Sequence, residues 1–161
     1  MLDARDYDRA LRPLLGQAAG YARAILRSRA EAEDAVQQAA LKGWERIGQY
    51  DPARPFKGWW FAILRNGCLD ALRRGKAHRI QGLEGVDPPA PQEPEPFDWR
   101  RLEDGLAELT EAHREILRLR YFGELSYEEI AEALSIPKGT VMSRLHLARN
   151  ALAARVARED A

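Results

Sequence analysis

Leu125-Ser126-Tyr127-Glu128-Glu129-Ile130-Ala131-Glu132-Ala133-Leu134-Ser135-Ile136-Pro137-Lys138-Gly139-Thr140-Val141-Met142-Ser143-Arg144-Leu145-His146-Leu147-Ala148-Arg149-Asn150-Ala151-Leu152-Ala153 reads as two helices joined by a tight turn. Ser126 with Glu129 forms a capping box, which starts the first helix. Ile130, Ala131 and Leu134 give it an apolar face. Ser135-Ile136 makes the turn, and Pro137 suits the first position of the second helix, where its missing N–H costs nothing. Val141, Leu145, Ala148 and Leu152 then recur at helical spacing as one apolar stripe. Gly139, Ser143, His146, Leu147 and Asn150 fall on the opposite face, with Thr140, Met142, Arg144 and Arg149 on its flanks.

That is the layout of a helix-turn-helix whose second helix can lie in a DNA major groove. Lys138 and Thr140 sit where free N–H groups and the helix dipole favour a phosphate. Five basic residues (Lys138, Arg144, Arg149, Arg155, Arg158) and no acid occur between Ile136 and Arg158. The plainer reading is a helical hairpin with a solvated basic face. The DNA reading ranks ahead because cap, turn, stripe and acid-free second helix agree.

Working outward, a chain of 161 residues with 45% apolar and 31% charged content is that of a folded protein of one or two small domains. Its formal net charge of zero is a cancellation between segments. Residues 1–76 hold 14 basic and 9 acidic residues, residues 77–98 hold one and five, and residues 99–161 hold 10 and 11. Cys68, the single cysteine, excludes an internal disulfide and has the neighbours of a core residue. A charged N-terminus and the absence of a long apolar run predict no signal peptide, no membrane insertion and a cytoplasmic location.

The N-terminal part predicts three helices. The first, Tyr7 to Arg27, is weakened by Pro13 and Gly16, so a bend is expected. The second, Ala30 to Ile47, lines Val36, Ala40, Trp44 and Ile47 on one side and Asp34, Gln37, Gln38, Lys42 and Glu45 on the other. That polar side is either a solvated face or a docking surface for a basic partner. The third, from about Phe56 to Arg74, is apolar over most of its circumference, so it is buried among other helices or holds a partner on one side. Lys57, Arg65, Arg73, Arg74 and Lys76 interleave with its aromatics, a pattern that suits single-stranded nucleic acid if the aromatics are exposed and a plain core if they are not.

Residues 77–97 carry five of the nine prolines (Pro88, Pro89, Pro91, Pro94, Pro96) among acids, the composition of a flexible linker. Its acidity keeps it off DNA or lets it follow a basic channel; the sequence leaves both open. Beyond it, Trp99 to Leu109 and Glu111 to Tyr121, the latter capped by Thr110, precede the helix pair from Leu125. The expected fold is all-α, with two small helical domains at residues 1–76 and 98–161. His78, His113 and His146 lack metal-ligand spacing, and there is no phosphate loop or nucleophile elbow. The chain reads as a binder and not an enzyme, with no cofactor, metal or small-molecule substrate.

Two stretches together resemble a known family. Ala32-Glu33-Asp34-Ala35-Val36-Gln37-Gln38, then Phe56 to Asn66 and Asp70-Ala71-Leu72-Arg73-Arg74, resemble region 2 of bacterial sigma factors. Leu109-Thr110-Glu111 through Phe122, then Leu125 to Ala131 and Ile136 to His146, resemble region 4. With only a linker between them, the chain resembles the extracytoplasmic function (ECF) group of the sigma-70 family. That resemblance implies a protein that binds core RNA polymerase and directs promoter-specific transcription initiation, under anti-sigma control in a stress response. It assigns Asp34, Gln37 and Gln38 to polymerase docking. It assigns Lys57, Trp59, Arg65, Asn66, Arg73 and Arg74 to the minus-10 element, with Trp59 the most core-like of them. Lys138, Thr140, Ser143, Arg144, His146 and Arg149 fall to the minus-35 element. The chain departs from the common pattern at Leu147 and Met142, where many members are basic. Either these contact thymine methyls, or minus-35 binding rests more on phosphates. Trp60 replaces a smaller residue and Ser135 a glycine. A sigma-like protein that only sequesters an anti-sigma factor would lack these basic residues, and a free-standing repressor would lack the region 2 match.

Overall fold

The computed structural model describes residues 2–80 and 104–159, and every regular element among them is helical. Helix α1 (Ala4–Leu11) starts at Asp3, whose carboxylate accepts from Asp6 N–H at 2.9 Å. A 3-10 turn at Arg12–Leu14, with Pro13 in it, makes the expected bend before α2 (Leu15–Leu26). Arg27 stops α2 in the left-handed region at φ 62°, and Ser28 caps α3 (Arg29–Glu45) by accepting from Glu31 N–H.

Helix α3 is rotated from the expected face. Its buried residues are Ala32, Ala35, Ala39 and Gly43; Val36 and Ala40 are half-buried, and Trp44 is 42% exposed. Size, not hydrophobicity, decides this. A Cβ on Gly43 would stand 2.4 Å from the Tyr7 hydroxyl and 2.9 Å from Trp60 Cδ1, so only a stripe of small residues lets the neighbours come this close. Tyr7 bonds the Ala40 carbonyl at 2.6 Å and accepts from Trp60 Nε1 at 3.2 Å.

Helix α4 (Phe56–Ile80) runs to Ile80, past the expected end at Arg74 and into the expected linker. The rest of the linker, with Trp99 and Leu102, lies outside the described residues. Trp60, Phe61, Leu64 and Cys68 on α4 are fully buried. Burial pushes the Cys68 thiol up to about 12, which fits an inert core residue.

In the C-terminal lobe, residues 104–107 are helical, and Leu106 and Leu109 are buried. Thr110 caps α5 (Glu111–Leu117) by accepting from His113 N–H. The expected helix to Tyr121 instead widens into a π-helix at Arg118–Phe122, closed by Gly123 N–H to the Arg118 carbonyl at 3.0 Å. Helix α6 (Tyr127–Leu134) has both bonds of the capping box. Ser135 ends it at φ 54°, and α7 (Lys138–Glu159) buries Val141, Leu145 and Ala148.

The two lobes share one core. Helix α4 packs on α2 and α3 on one side and on α6 on the other, which explains why it is apolar nearly all round. A Cβ on Gly58 of α4 would lie 2.5 Å from the Glu129 carbonyl oxygen, and one on Gly123 would lie 3.0 Å from Phe61 Cε1. Polar contacts rim this seam. Arg65 pairs with Glu115, their side chains only 27% and 19% exposed. Lys57 Nζ donates to the Glu124 carbonyl at 2.9 Å, and Arg54 lies 3.5 Å from Glu132.

Candidate nucleic-acid and polymerase surfaces

The first surface is α7. Its stripe into the core leaves Lys138, Met142, Ser143, Arg144, His146, Leu147 and Asn150 exposed, as the 3.6-residue period requires. Lys138 forms a solvent-exposed pair with Glu128 at 3.2 Å, an interaction easily exchanged for a phosphate. Ser143 spends its hydroxyl on the Gly139 carbonyl at 3.0 Å, and His146 bonds Asn150 at 3.3 Å. Arg144 is exposed and has no polar partner among the described residues. Thr140 is half-buried. Arg149 is held: its Nε donates to the Tyr121 hydroxyl at 2.7 Å and its guanidinium covers the Tyr121 ring. That hydrogen bond, with a second tyrosine at Tyr127, raises its pKa and keeps a fixed charge on the flank of the helix.

The second surface is α4, where the six minus-10 residues do not form one patch. Asn66 and Arg73 lie two turns apart on one exposed side, with Arg74 exposed next to them. Arg73 is paired with Asp70 at 3.0 Å. Lys57 and Arg65 face the other lobe and are engaged there. Trp59 is half-buried in an aromatic cluster, 5.0 Å from Tyr50 and 5.8 Å from Phe56 between ring centres. Trp60 is fully buried, whereas Trp59 packs partly buried against the same core.

The third surface is the outer face of α3. Asp34, Gln37 and Gln38 are all exposed on it. Leu41 and Trp44, at 59% and 42% exposure, share it by helical spacing. Sequence reasoning missed both, having assigned Trp44 inward. The available signal was their i+4 and i+7 offsets from Gln37. Leu41 and Trp44 thus lie exposed beside two amides and a carboxylate on one helix face. Among the described residues no acidic or thiol cluster has metal-binding arrangement, and no helix is long and apolar enough to cross a membrane.

Residues 10–78 match the family model for sigma-70 region 2, and residues 99–152 match that for sigma-70 region 4. The chain is 34% identical over 140 residues to the ECF RNA polymerase sigma factor SigL of Mycobacterium tuberculosis, covering 82% of this chain and 78% of that protein. It is 31% identical over 137 residues to SigW of Bacillus subtilis, covering 76% and 73%. Among solved structures it superposes, with a TM-score of 0.73, on the sigma factor RpoE from Bartonella quintana in complex with the anti-sigma factor NepR. That match has 26% identity and covers 95% of this chain and 98% of that one. CnrH in complex with the cytosolic domain of CnrY has the same fold, at a TM-score of 0.70 and 24% identity. Two family models in order, a curated relative matched over most of its length and the shared fold place the chain in the ECF group of the sigma-70 family of RNA polymerase sigma factors.

Proposed function

We propose that this cytoplasmic sigma factor acts through the three surfaces described above, and that the closed pair of lobes is its resting form. Residues 1–76 act as the region 2 domain, residues 98–161 as the region 4 domain, and residues 77–97 as the tether between them. The outer face of α3 docks on core polymerase through Asp34, Gln37 and Gln38, with Leu41 and Trp44 adding desolvated area. The N-terminal half of α7 reads the minus-35 element with Arg144, His146 and Lys138, while Arg149, fixed on Tyr121, contacts the backbone. Asn66, Arg73 and Arg74 meet the minus-10 strand directly.

The observation that carries the closed resting form is the pairing of Arg65 and Lys57 with the other lobe. Two cations of the minus-10 set are spent on Glu115 and on the Glu124 carbonyl, so full minus-10 engagement requires the lobes to part. Flipping bases out of a duplex costs a few kcal/mol each, and polymerase binding supplies the free energy both for that and for opening the seam. The RpoE–NepR likeness extends over both lobes, which supports an anti-sigma factor that binds and holds this arrangement. Run-off transcription with purified core polymerase and promoter fragments from the source genome tests the reading. Transcripts sharing two upstream elements are expected; polymerase binding without start sites would leave only an anti-sigma decoy.

A further inference from the structure

Where α2 ends against the π-helix, three arginines line one shallow, open depression with a cavity volume of about 30 Å³, so an anion there would sit in its mouth and not inside it. Arg27 comes from the N-terminal lobe, at the left-handed C-cap of α2; Arg114 and Arg118 come from the C-terminal lobe. Leu106 and Phe122 contribute its apolar wall. None of these arginines belongs to the surfaces assigned above.

Their electrostatics are unbalanced. Glu111, the carboxylate paired with Arg114, is largely exposed and takes one hydrogen bond from Arg114 Nη2 at 2.5 Å. Arg114 Nε and Arg118 Nε are both buried and have no acceptor among the described residues. Burial lowers the pKa of Arg118; Glu111 opposes that, and the like charges of Arg114 and Arg27 add to it. Buried donors in proteins are nearly always satisfied. Among the described residues, three guanidinium groups against one carboxylate leave a local charge of about +2, equal and opposite to that of a phosphate dianion. Guanidinium forks match the tetrahedral oxygens of phosphate in pairs.

We propose that this pocket binds a small phosphate anion, free or on a nucleotide, and that the bound anion bridges Arg27 to Arg114 and Arg118 and so clamps the lobes together. The binding half stands on the pocket alone; the clamping half rests on the closed resting form proposed above. A ligand that binds only the closed form favours it by the factor one plus its concentration over Kd, about elevenfold at ten times Kd.

The test uses the full chain and inorganic pyrophosphate, followed by titration calorimetry, with ADP as a second arm. Saturable binding in the millimolar range or tighter is expected. Arg118→Gln and Arg27→Gln should each weaken it roughly tenfold or more, the loss of one charge-assisted hydrogen-bonding group. Arg9→Gln, on the exposed face of α1, should leave it unchanged. ADP binding as tightly as pyrophosphate would identify a nucleotide as the source; pyrophosphate binding alone would identify a free anion. If Arg118→Gln fails to fold, Arg27→Gln carries the test, because its side chain is exposed. No saturable binding, or equal loss in Arg9→Gln and Arg27→Gln, overturns the site. Binding that leaves protease resistance across the seam unchanged overturns the clamp. Neither result depends on polymerase, so neither can be confused with failure of the transcription assay.

Discussion

The two DNA-facing regions of this molecule are built in opposite ways. Helix α7 buries one narrow stripe and leaves its basic residues in water, so Arg144 is ready to bind. Helix α4 is buried on two sides, and the other lobe takes Lys57 and Arg65 out of use. On the proposed assignments, the closed form offers an exposed minus-35 face and a minus-10 face that lacks Lys57 and Arg65. The difference teaches where control lies: a factor that can find duplex DNA but cannot open it until its own seam parts has recognition and melting under separate switches.

The largest effect is expected from forcing the seam. Gly58→Ala places a methyl group 2.5 Å from the Glu129 backbone oxygen, which no side-chain rotation relieves. Overpacking of this kind costs about 1–3 kcal/mol. The lobes should separate while each stays helical, and small-angle scattering should show a larger radius of gyration. An unchanged radius would mean that the seam tolerates the shift.

A more local break is Glu115→Ala, which strands Arg65 in a site where its side chain is 27% exposed. Losing a partner of a fully buried charge costs 3–5 kcal/mol; partial exposure reduces this to about 1–3 kcal/mol. The melting temperature should fall, and affinity for single-stranded minus-10 DNA should rise because Arg65 is released. A variant that loses stability but gains no strand affinity would remove Arg65 from the minus-10 set.

On the α7 side, Arg144→Ala should leave the melting temperature nearly unchanged. It should weaken minus-35 duplex binding and lower the slope of log affinity against log salt by about 1. An unaltered slope would show that Arg144 does not reach a phosphate.

The smallest effect belongs to the turn. Ser135 holds φ 54°, which costs a non-glycine residue roughly 1–2 kcal/mol, partly offset by the chain entropy of glycine. Ser135→Gly should stabilise the C-terminal lobe by about 0.5–1 kcal/mol in urea unfolding. Destabilisation would point to a role for the serine hydroxyl.

The titration of Cys68 adds a pH signature. Its folded pKa lies above the unfolded value, so its contribution is fully present below the unfolded pKa of about 8.5 and is lost as pH rises toward about 12. Stability should fall across that window, and Cys68→Ala should make the fall shallower in melts between neutral and alkaline pH.

What the sequence made legible follows from range. The capping box of Ser126 and Glu129, the turn at Ser135, the start near Pro137 and the stripe of Val141, Leu145 and Ala148 are all local, and all are present. Of the residues expected inward on the second helix, Ile47 is buried and Val36 and Ala40 pack half-buried against the core, but Trp44 is exposed, because contact between α3 and α4 rewards the absence of a side chain at Gly43. The π-helix has no local signal. The closed seam was least legible: Arg65 and Glu115 are 50 residues apart, and Lys57 and Glu124 are 67 apart. An all-round apolar helix has two readings until its second partner is known, and here that partner was α6. The minus-10 residues were grouped by family resemblance. The structure divides them into an exposed side, with Asn66, Arg73 and Arg74, and a side engaged by the other lobe, with Lys57 and Arg65.

Activation by this route requires the lobes to part when polymerase binds. Donor and acceptor dyes on Arg5→Cys and Ala154→Cys, exposed sites on α1 and α7, report that distance by single-molecule energy transfer, with buried Cys68 left unlabelled. The account predicts one high-transfer population for the free protein and a shift to low transfer on adding core polymerase. High transfer persisting in a transcriptionally active complex would contradict it, since Arg65 and Lys57 would then remain covered while the promoter opens.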